Sequence, residues 1–309
     1  MAAQVVCPPP SDDEILRFLS ERYSPRNKVP GVVAEVEFAR YIESLGMGER
    51  LVRGGWIVEP NAPDFFSKRI AIFPASFGGS PAPSTPVITA AQYLRSAGMR
   101  SLWAVPLPRA GMEFDWLASD ITGPNIGPLS PIQEAFSGYP LRQNRLTHRH
   151  YNTDISPLRS TPSTELQTLF ARESMLDSIR GRYLTVANDL DYLIWGQHAT
   201  YPVEIKEKTR ANDPYMGDYF GIDVGPFAKL STFTSFGSEL KGLFVVREID
   251  NVTSRSLRAW HIVRSDQMCQ KCSWVFRSGG MSMRGTASAT VRVPIAAFEP
   301  LSLVTLQSL

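Results

Sequence analysis

The stretch Asn188-Asp189-Leu190-Asp191-Tyr192-Leu193-Ile194-Trp195, then a turn over residues 196–202, then Val203-Glu204-Ile205-Lys206, decides how this chain is read. Two short apolar runs joined by a turn read as adjacent strands. Side chains on a strand alternate faces, so Glu204 and Lys206 point one way while Val203 and Ile205 point the other and can be buried. An acid at the head of the first strand then sits beside Glu204 across the ladder. Two carboxylates and one ammonium converge. Such a set suits a hard divalent cation, Mg²⁺ or Mn²⁺, which takes oxygen ligands and keeps several waters. The lysine can orient or help deprotonate an attacking water, and it can offset charge developing on a phosphate.

Outward from this stretch the chain alternates helical and strand patterns. Residues 1–10 end in three prolines and read as an arm. Ser11 with Glu14 has capping-box spacing and opens a helix whose apolar face is Ile15, Leu16, Phe18 and Leu19. A second helix is expected over about 32–45, with Gly46 as its stop. Val32, Glu35, Ala39 and Ile42 share one stripe of it. A strand follows at 51–58. Residues 60–162 are dense in Pro and Gly, with helical patterns only near 89–97 and 131–136, and read as mostly irregular chain. A long helix is expected at 163–180. Strands are expected near 183–187, 190–195 and 203–207. A helix capped by Asp223 runs to about 233, and further strands lie at 242–249, 258–264 and 287–293. The expected fold is α/β, a mixed central sheet flanked by helices with a large Pro/Gly-rich insertion. The expected parts are an N-terminal arm and helix (1–30), a core (31–59 and 163–309) and an inserted recognition subdomain (60–162).

Asp191, then an apolar strand, then Glu204-Ile205-Lys206 thirteen residues on resembles the PD-(D/E)XK, or restriction-endonuclease-like, nuclease superfamily. Tyr219-Phe220-Gly221-Ile222-Asp223 before a helix, and Gly242-Leu243-Phe244-Val245-Val246 after it, look like the helix and strand that follow the catalytic lysine there. Residues 31–46 look like the family's first helix, which often carries a further metal-site glutamate. The resemblance implies Asp191, Glu204 and Lys206 as catalytic residues. Asp191, Glu204, the Ile205 carbonyl and Glu35 would be the Mg²⁺ or Mn²⁺ ligands. It implies a metal-dependent DNA nuclease, such as a restriction or defence endonuclease; a catalytically inactive, nuclease-like binding subunit is the alternative. Leu190 stands where the family's pattern has proline, and Asp189 competes with Asp191. If 163–180 were the first helix, Glu165 or Glu173 would replace Glu35. A second triplet, Glu239-Leu240-Lys241, lies downstream of Asp223 but in a loop context. Without function, Glu204 and Lys206 would form a solvated strand face with a cross-strand ion pair to Asp191.

Composition sets the outer bounds. The 309 residues carry a net charge of +2, 43% hydrophobic and 20% charged residues, which suits a globular chain. No apolar run approaches the roughly 20 residues that span a bilayer, and the first residues lack the pattern of a secretory signal. Three cysteines exclude a disulfide scaffold and point to the cytoplasm. Cys269 and Cys272 alone are too few for a zinc site. No Gly-Lys dipeptide, G-x-S-x-G or H-E-x-x-H occurs, which excludes a P-loop, a hydrolase elbow and a zincin helix. Basic residues are 25 Arg and only 7 Lys. Arg142, Arg145 and Arg149, spaced by three and four beside His148 and His150, are candidates for phosphate contact. Arg180, Arg182 and Arg210 around the motif are further candidates. His261 is expected to be structural. The expected partner is DNA, with RNA left open, no membrane, and a homodimer compatible with the sequence.

Overall fold

The computed structural model describes residues 9–24, 28–77, 80, 82–108, 114–144, 151–197, 199–234, 240–281 and 287–309. In chain order its elements are α1 (Asp12–Arg22), α2 (Lys28–Ser44), β1 (Leu51–Arg53), β2 (Trp56–Pro60), β3 (Ile70–Pro74), α3 (Thr85–Ser96), β4 (Arg100–Pro108), β5 (Phe114–Asp120) and β6 (Ser130–Pro131). They continue as α4 (Ser163–Arg182), β7 (Thr185–Asp189), β8 (Tyr192–Trp195), β9 (Thr200–Thr209), β10 (Ala211–Asp213), β11 (Gly217–Asp223), α5 (Val224–Thr234), β12 (Leu243–Ile249) and β13 (Leu257–Arg264). The last are α6 (Ser265–Lys271), β14 (Ser273–Met281), β15 (Ala287–Pro294), β16 (Glu299–Pro300) and α7 (Leu303–Gln307). The chain is therefore α/β. Two of its sheets mix parallel and antiparallel pairs, and one is antiparallel. Among the described residues no helix is long and apolar enough to cross a membrane.

Two compact units divide the chain at other points than proline density predicts. Unit 1 is Met1–Pro25 with Gly54–Asp189, and unit 2 is Arg26–Arg53 with Leu190–Leu309. The expected boundaries at 30, 59 and 163 are thus replaced: α1, β2, α4 and β7 all belong with the segment read as an insertion. The reason is packing. Phe18 of α1 meets Phe170 of α4 edge-on at 4.8 Å, Arg22 pairs with Asp177 at 2.7 Å, and the Trp56 indole donates to the Arg172 carbonyl at 2.9 Å.

Unit 1 is not mostly irregular. It holds a six-stranded sheet in the order β6-β5-β4-β3-β2-β7, with β3 and β4 parallel through α3. Proline hides these strands from a sequence reading. Pro106 and Pro108 lie in β4 beyond residues 100–104, where it pairs with β3, so a neighbour on only one side remains for them. The pattern near 131–136 is a 3₁₀ turn rather than an α-helix. The single strand expected at 51–58 is broken at Gly54-Gly55 into β1 and β2.

Unit 2 carries the stretch that opened the reading. Its larger sheet runs β1-β8-β9-β12-β13-β16, with β12 parallel to β9 and the other pairs antiparallel. Val203 and Ile205 point into a core with Ala34, Phe38 and Ile42 of α2, Tyr192 and Trp260. Burying each large side chain stabilises by about 1.5–3 kcal/mol. On the other face Phe244 and Val246 of β12 pack with Leu230 of α5 and with Phe220, Val291 and Val293 of the smaller sheet, ordered β10-β11-β15-β14. Local signals were accurate in both units. Ser11 and Glu14 form a reciprocal capping box, and Gly46 after α2 has φ +72°.

Gly55 enters β2 so close to β3 that an added Cβ would lie 1.8 Å from the Ile72 carbonyl oxygen. We expect Gly55→Ala to cost about 3 kcal/mol, the upper end for overpacking. Gly181→Ala on α4, where nothing lies within 4 Å of the added Cβ, should stabilise by up to about 1 kcal/mol. Urea unfolding of the two variants checks the pair of signs.

Candidate active site

Strand geometry assembles the site. β8 pairs with β9 at Tyr192↔Val203, and one step further that register sets Asp191 across from Glu204. Asp191 precedes the first residue of β8, so the Ile205 amide has no β8 carbonyl to meet. The Asp191 carboxylate takes its place: Oδ2 accepts from Ile205 N at 2.7 Å. Alternation then turns Glu204 and Lys206 to the α5 side of the sheet, beside Phe244 and Val246 in the parallel register of β12. Asp189, the competing acid, ends β7 opposite Trp56 in unit 1.

Both carboxylates are only 3% exposed. Charge that far out of water persists only when paired. Glu204 Oε1 meets Lys206 Nζ at 2.6 Å, and Oε2 meets Lys229 Nζ at 2.9 Å. Burial works against the Lys206 charge, but Glu204 and Asp191 outweigh it, with Lys229 opposing. The ammonium therefore holds its proton above the ordinary lysine range. Two carboxylates against two ammonium groups leave the cluster neutral. The alternative of a solvated strand face does not describe the two carboxylates, which are buried, although the Lys206 side chain is partly exposed. Lys229 was missed by sequence reading. Its signal was scarcity: it is one of only seven lysines and lies on the helix that follows the motif.

The remaining candidates fall elsewhere. Glu35 is buried on α2, the helix that covers the opposite face of β9, and its backbone carbonyl accepts from the Tyr192 hydroxyl at 3.0 Å. Among the described residues no three His, Cys, Asp or Glu gather as a metal cage, so Glu35 does not complete one with Asp191 and Glu204. The Ile205 side chain lies in the α2 core. Arg142 is committed to the C-terminus of α4: its Nε donates to the Arg180 carbonyl and its backbone amide to the Arg182 carbonyl, each at 2.9 Å. Arg145, His148, Arg149 and His150 lie outside the described residues, as does Glu239 of the second triplet. Arg180 and Arg182 end α4 in unit 1, so they do not stand on the motif's own unit. Burial pulls the Arg180 pKa down, against the nearby charges of Glu173, Asp177 and Asp189. Arg182 is exposed, its guanidinium 5.8 Å from the centre of the Tyr183 ring.

Arg210 is in unit 2, but its guanidinium is spent on acids. It grips Glu248 through Nε and Nη2 at 3.1 Å each and Asp218 through Nη1 at 3.2 Å. His261 completes that group, 2.6 Å from Glu248. Cys272 directs its thiol to the Cys269 carbonyl across one turn of α6, and both thiols are free. Burial and the neighbouring charge raise both cysteine pKa values.

Comparison with protein-family models, with curated proteins and with solved structures found no match.

Two outcomes test this electrostatic account. Lys206→Met or Lys229→Met alone leaves Glu204 one ammonium, so each should be tolerated. The double variant strands a buried carboxylate and should lose about 3–5 kcal/mol, more than the singles combined. Adding Glu204→Gln should restore part of that loss; additive small losses in urea unfolding at pH 7 would contradict the pairing. The second outcome concerns Glu248. Burial pushes its carboxyl up, but hydrogen bonds from Arg210 and His261 outweigh burial and hold it below the usual range. A carboxyl lowered on folding stabilises above its unfolded pKa of about 4.3. That contribution is lost as pH falls through the lower folded value. Arg210→Ala should therefore lower stability at pH 7 and flatten the loss below about pH 4.3, measured as Tm against pH.

Proposed function

We propose that unit 2 is a metal-dependent nuclease that hydrolyses DNA phosphodiester bonds at Asp191, Glu204 and Lys206. The observation that carries this reading is the convergence of two nearly buried carboxylates and a lysine on adjacent strands, held by the hydrogen bond from the Ile205 amide to the Asp191 carboxylate. The element order also supports it. A helix (α2), a strand (β1), an acid-led strand (β8), the Glu-x-Lys strand (β9), and then a helix (α5) and a parallel strand (β12) agree with what the PD-(D/E)XK resemblance implies. β10 and β11 intervene before α5.

The donor set fits a Mg²⁺ or Mn²⁺ ion. These hard cations bind through one or two carboxylates and retain water, so a two-carboxylate site with a backbone carbonyl suffices. Asp191 and Glu204 would hold the ion, with the Ile205 carbonyl beside them. When bound, such an ion supplies Lewis acidity and charge neutralisation at the phosphoryl group. Lys206 and Lys229 both stand against Glu204 at that position. Two ammonium groups then face a phosphodiester whose negative charge grows in the transition state, where preorganised charge counts most. Lys206 positions the attacking water and offsets that charge. Substrate recognition we assign to unit 1.

The neutral lysine–carboxylate cluster also favours a second reading, an inactive nuclease-like binding subunit whose charges only hold the fold. Cleavage of plasmid and single-stranded DNA with and without Mg²⁺ separates the two. We expect metal-dependent cleavage by the native chain and its loss by at least 10³-fold in Asp191→Ala and Glu204→Ala, in line with the removal of major charge-stabilising groups. Lys206→Ala should lose turnover while keeping DNA affinity. Cleavage at native rates in either acid variant would remove the assignment, and a metal-loaded native chain that cuts nothing would favour the binding subunit.

A further inference from the structure

We propose that the start of β14 is a base-stacking platform that delivers single-stranded DNA to the Asp191–Glu204–Lys206 site. The inference rests on the nuclease reading of that site only for the fate of the strand, not for its binding. β14 is the edge strand of the smaller sheet, next to β15. It pairs at Ser273↔Arg292 and again at Arg277↔Thr290, so four steps on β14 match two on β15. The surplus residues bulge from the ladder, and Trp274, Val275 and Phe276 stand 56%, 59% and 55% exposed. Three consecutive large apolar side chains in water are costly and mark a contact surface. A bulged edge is a poor template for another strand, which argues against a peptide or a second copy pairing there.

Charge selects the occupant. Residues 267–298 contain Lys271, Arg277, Arg284 and Arg292 and no acid, in a chain that is otherwise nearly balanced. Arg292 is engaged by Asp213, while Arg277 is exposed beside Phe276. Exposed aromatic rings with neighbouring cations suit a polyanion that shows flat ring faces, which is what single strands present and duplexes hide. Position links the platform to the chemistry. Phe227 of α5 meets the Trp274 ring edge-on at 5.9 Å and steadies it. Lys229, two residues along the same helix, reaches Glu204. Positions two apart lie on opposite flanks of a helix, which with its side chains is about 10–12 Å across. A base on Trp274 therefore leaves the scissile phosphate a few nucleotides away.

The test titrates the full chain, in EDTA, with a single-stranded DNA oligonucleotide carrying 2-aminopurine. We expect fluorescence quenching on binding and roughly tenfold or greater weakening in Trp274→Ala. Trp274→Phe, which keeps a ring, should retain most of the affinity. Arg277→Ala should lower the salt slope of log K by about 0.7, which Trp274→Ala should not. Exposed residues make these variants safe for the fold. Native affinity in Trp274→Ala, equal binding of blunt duplex, preference for single-stranded RNA, or a Trp274-dependent change in oligomeric state would overturn the proposal. Trp274-dependent binding by a chain that cleaves no DNA would support the platform while refuting the nuclease reading.

Discussion

A carboxylate almost wholly removed from water must find positive charge or donors, and Asp191 and Glu204 impose that requirement on everything around them. Leaving such a group unpaired costs about 3–5 kcal/mol, a large share of a domain's stability. The local structure answers in layers. The Ile205 amide serves Asp191 because β8 starts two residues short of the position across from that amide. Strand alternation delivers Lys206 to Glu204, and α5 delivers Lys229. The seat of α5 follows from Leu230, which locks the helix onto Phe244 and Val246 from the same face that carries the charges. Apolar packing and ion pairing thus fix one another.

Neutrality within the cluster gives it two compatible fates. Left alone, four charges cancel and the sheet keeps a paired interior. On the proposed reading, the two carboxylates would hold a divalent cation and the two ammonium groups would offset the charge of a bound phosphate. Two other charged clusters among the described residues of unit 2 are paired within themselves. Arg210, Glu248, Asp218 and His261 form a closed set, and Arg247 is shared between Glu37 and Glu207 at 2.6 Å each.

What the sequence made legible was local. Period-two alternation placed Glu204 and Lys206 together, while the choice between Asp191 and Asp189 stayed open until the strand register set Asp191 across from Glu204 and Asp189 opposite Trp56. Cap chemistry marked α1, and the 163–180 helix was foreseen nearly to its end at Arg182. Non-local pairing was not legible. α1 and α4 are joined through Phe18–Phe170 and Arg22–Asp177, contacts across some 150 residues that no periodicity announces. Proline misled in β4 because one-sided pairing beyond residue 104 tolerates it. Lys229 had no motif to carry it, and the role expected of Glu35 took no account of which face α2 covers. The spacing of Arg142 suggested a phosphate contact, whereas its Nε and amide cap a helix end.

Divalent-metal binding tests the central claim most directly. Electron paramagnetic resonance of Mn²⁺ titrated into the full chain should show one bound ion per molecule, displaced by Mg²⁺. That ion should be absent from Asp191→Asn and Glu204→Gln chains that remain folded. No bound Mn²⁺ at millimolar concentration, or equal binding by both variants, would contradict the account and leave Asp191, Glu204, Lys206 and Lys229 as a structural ion-pair cluster.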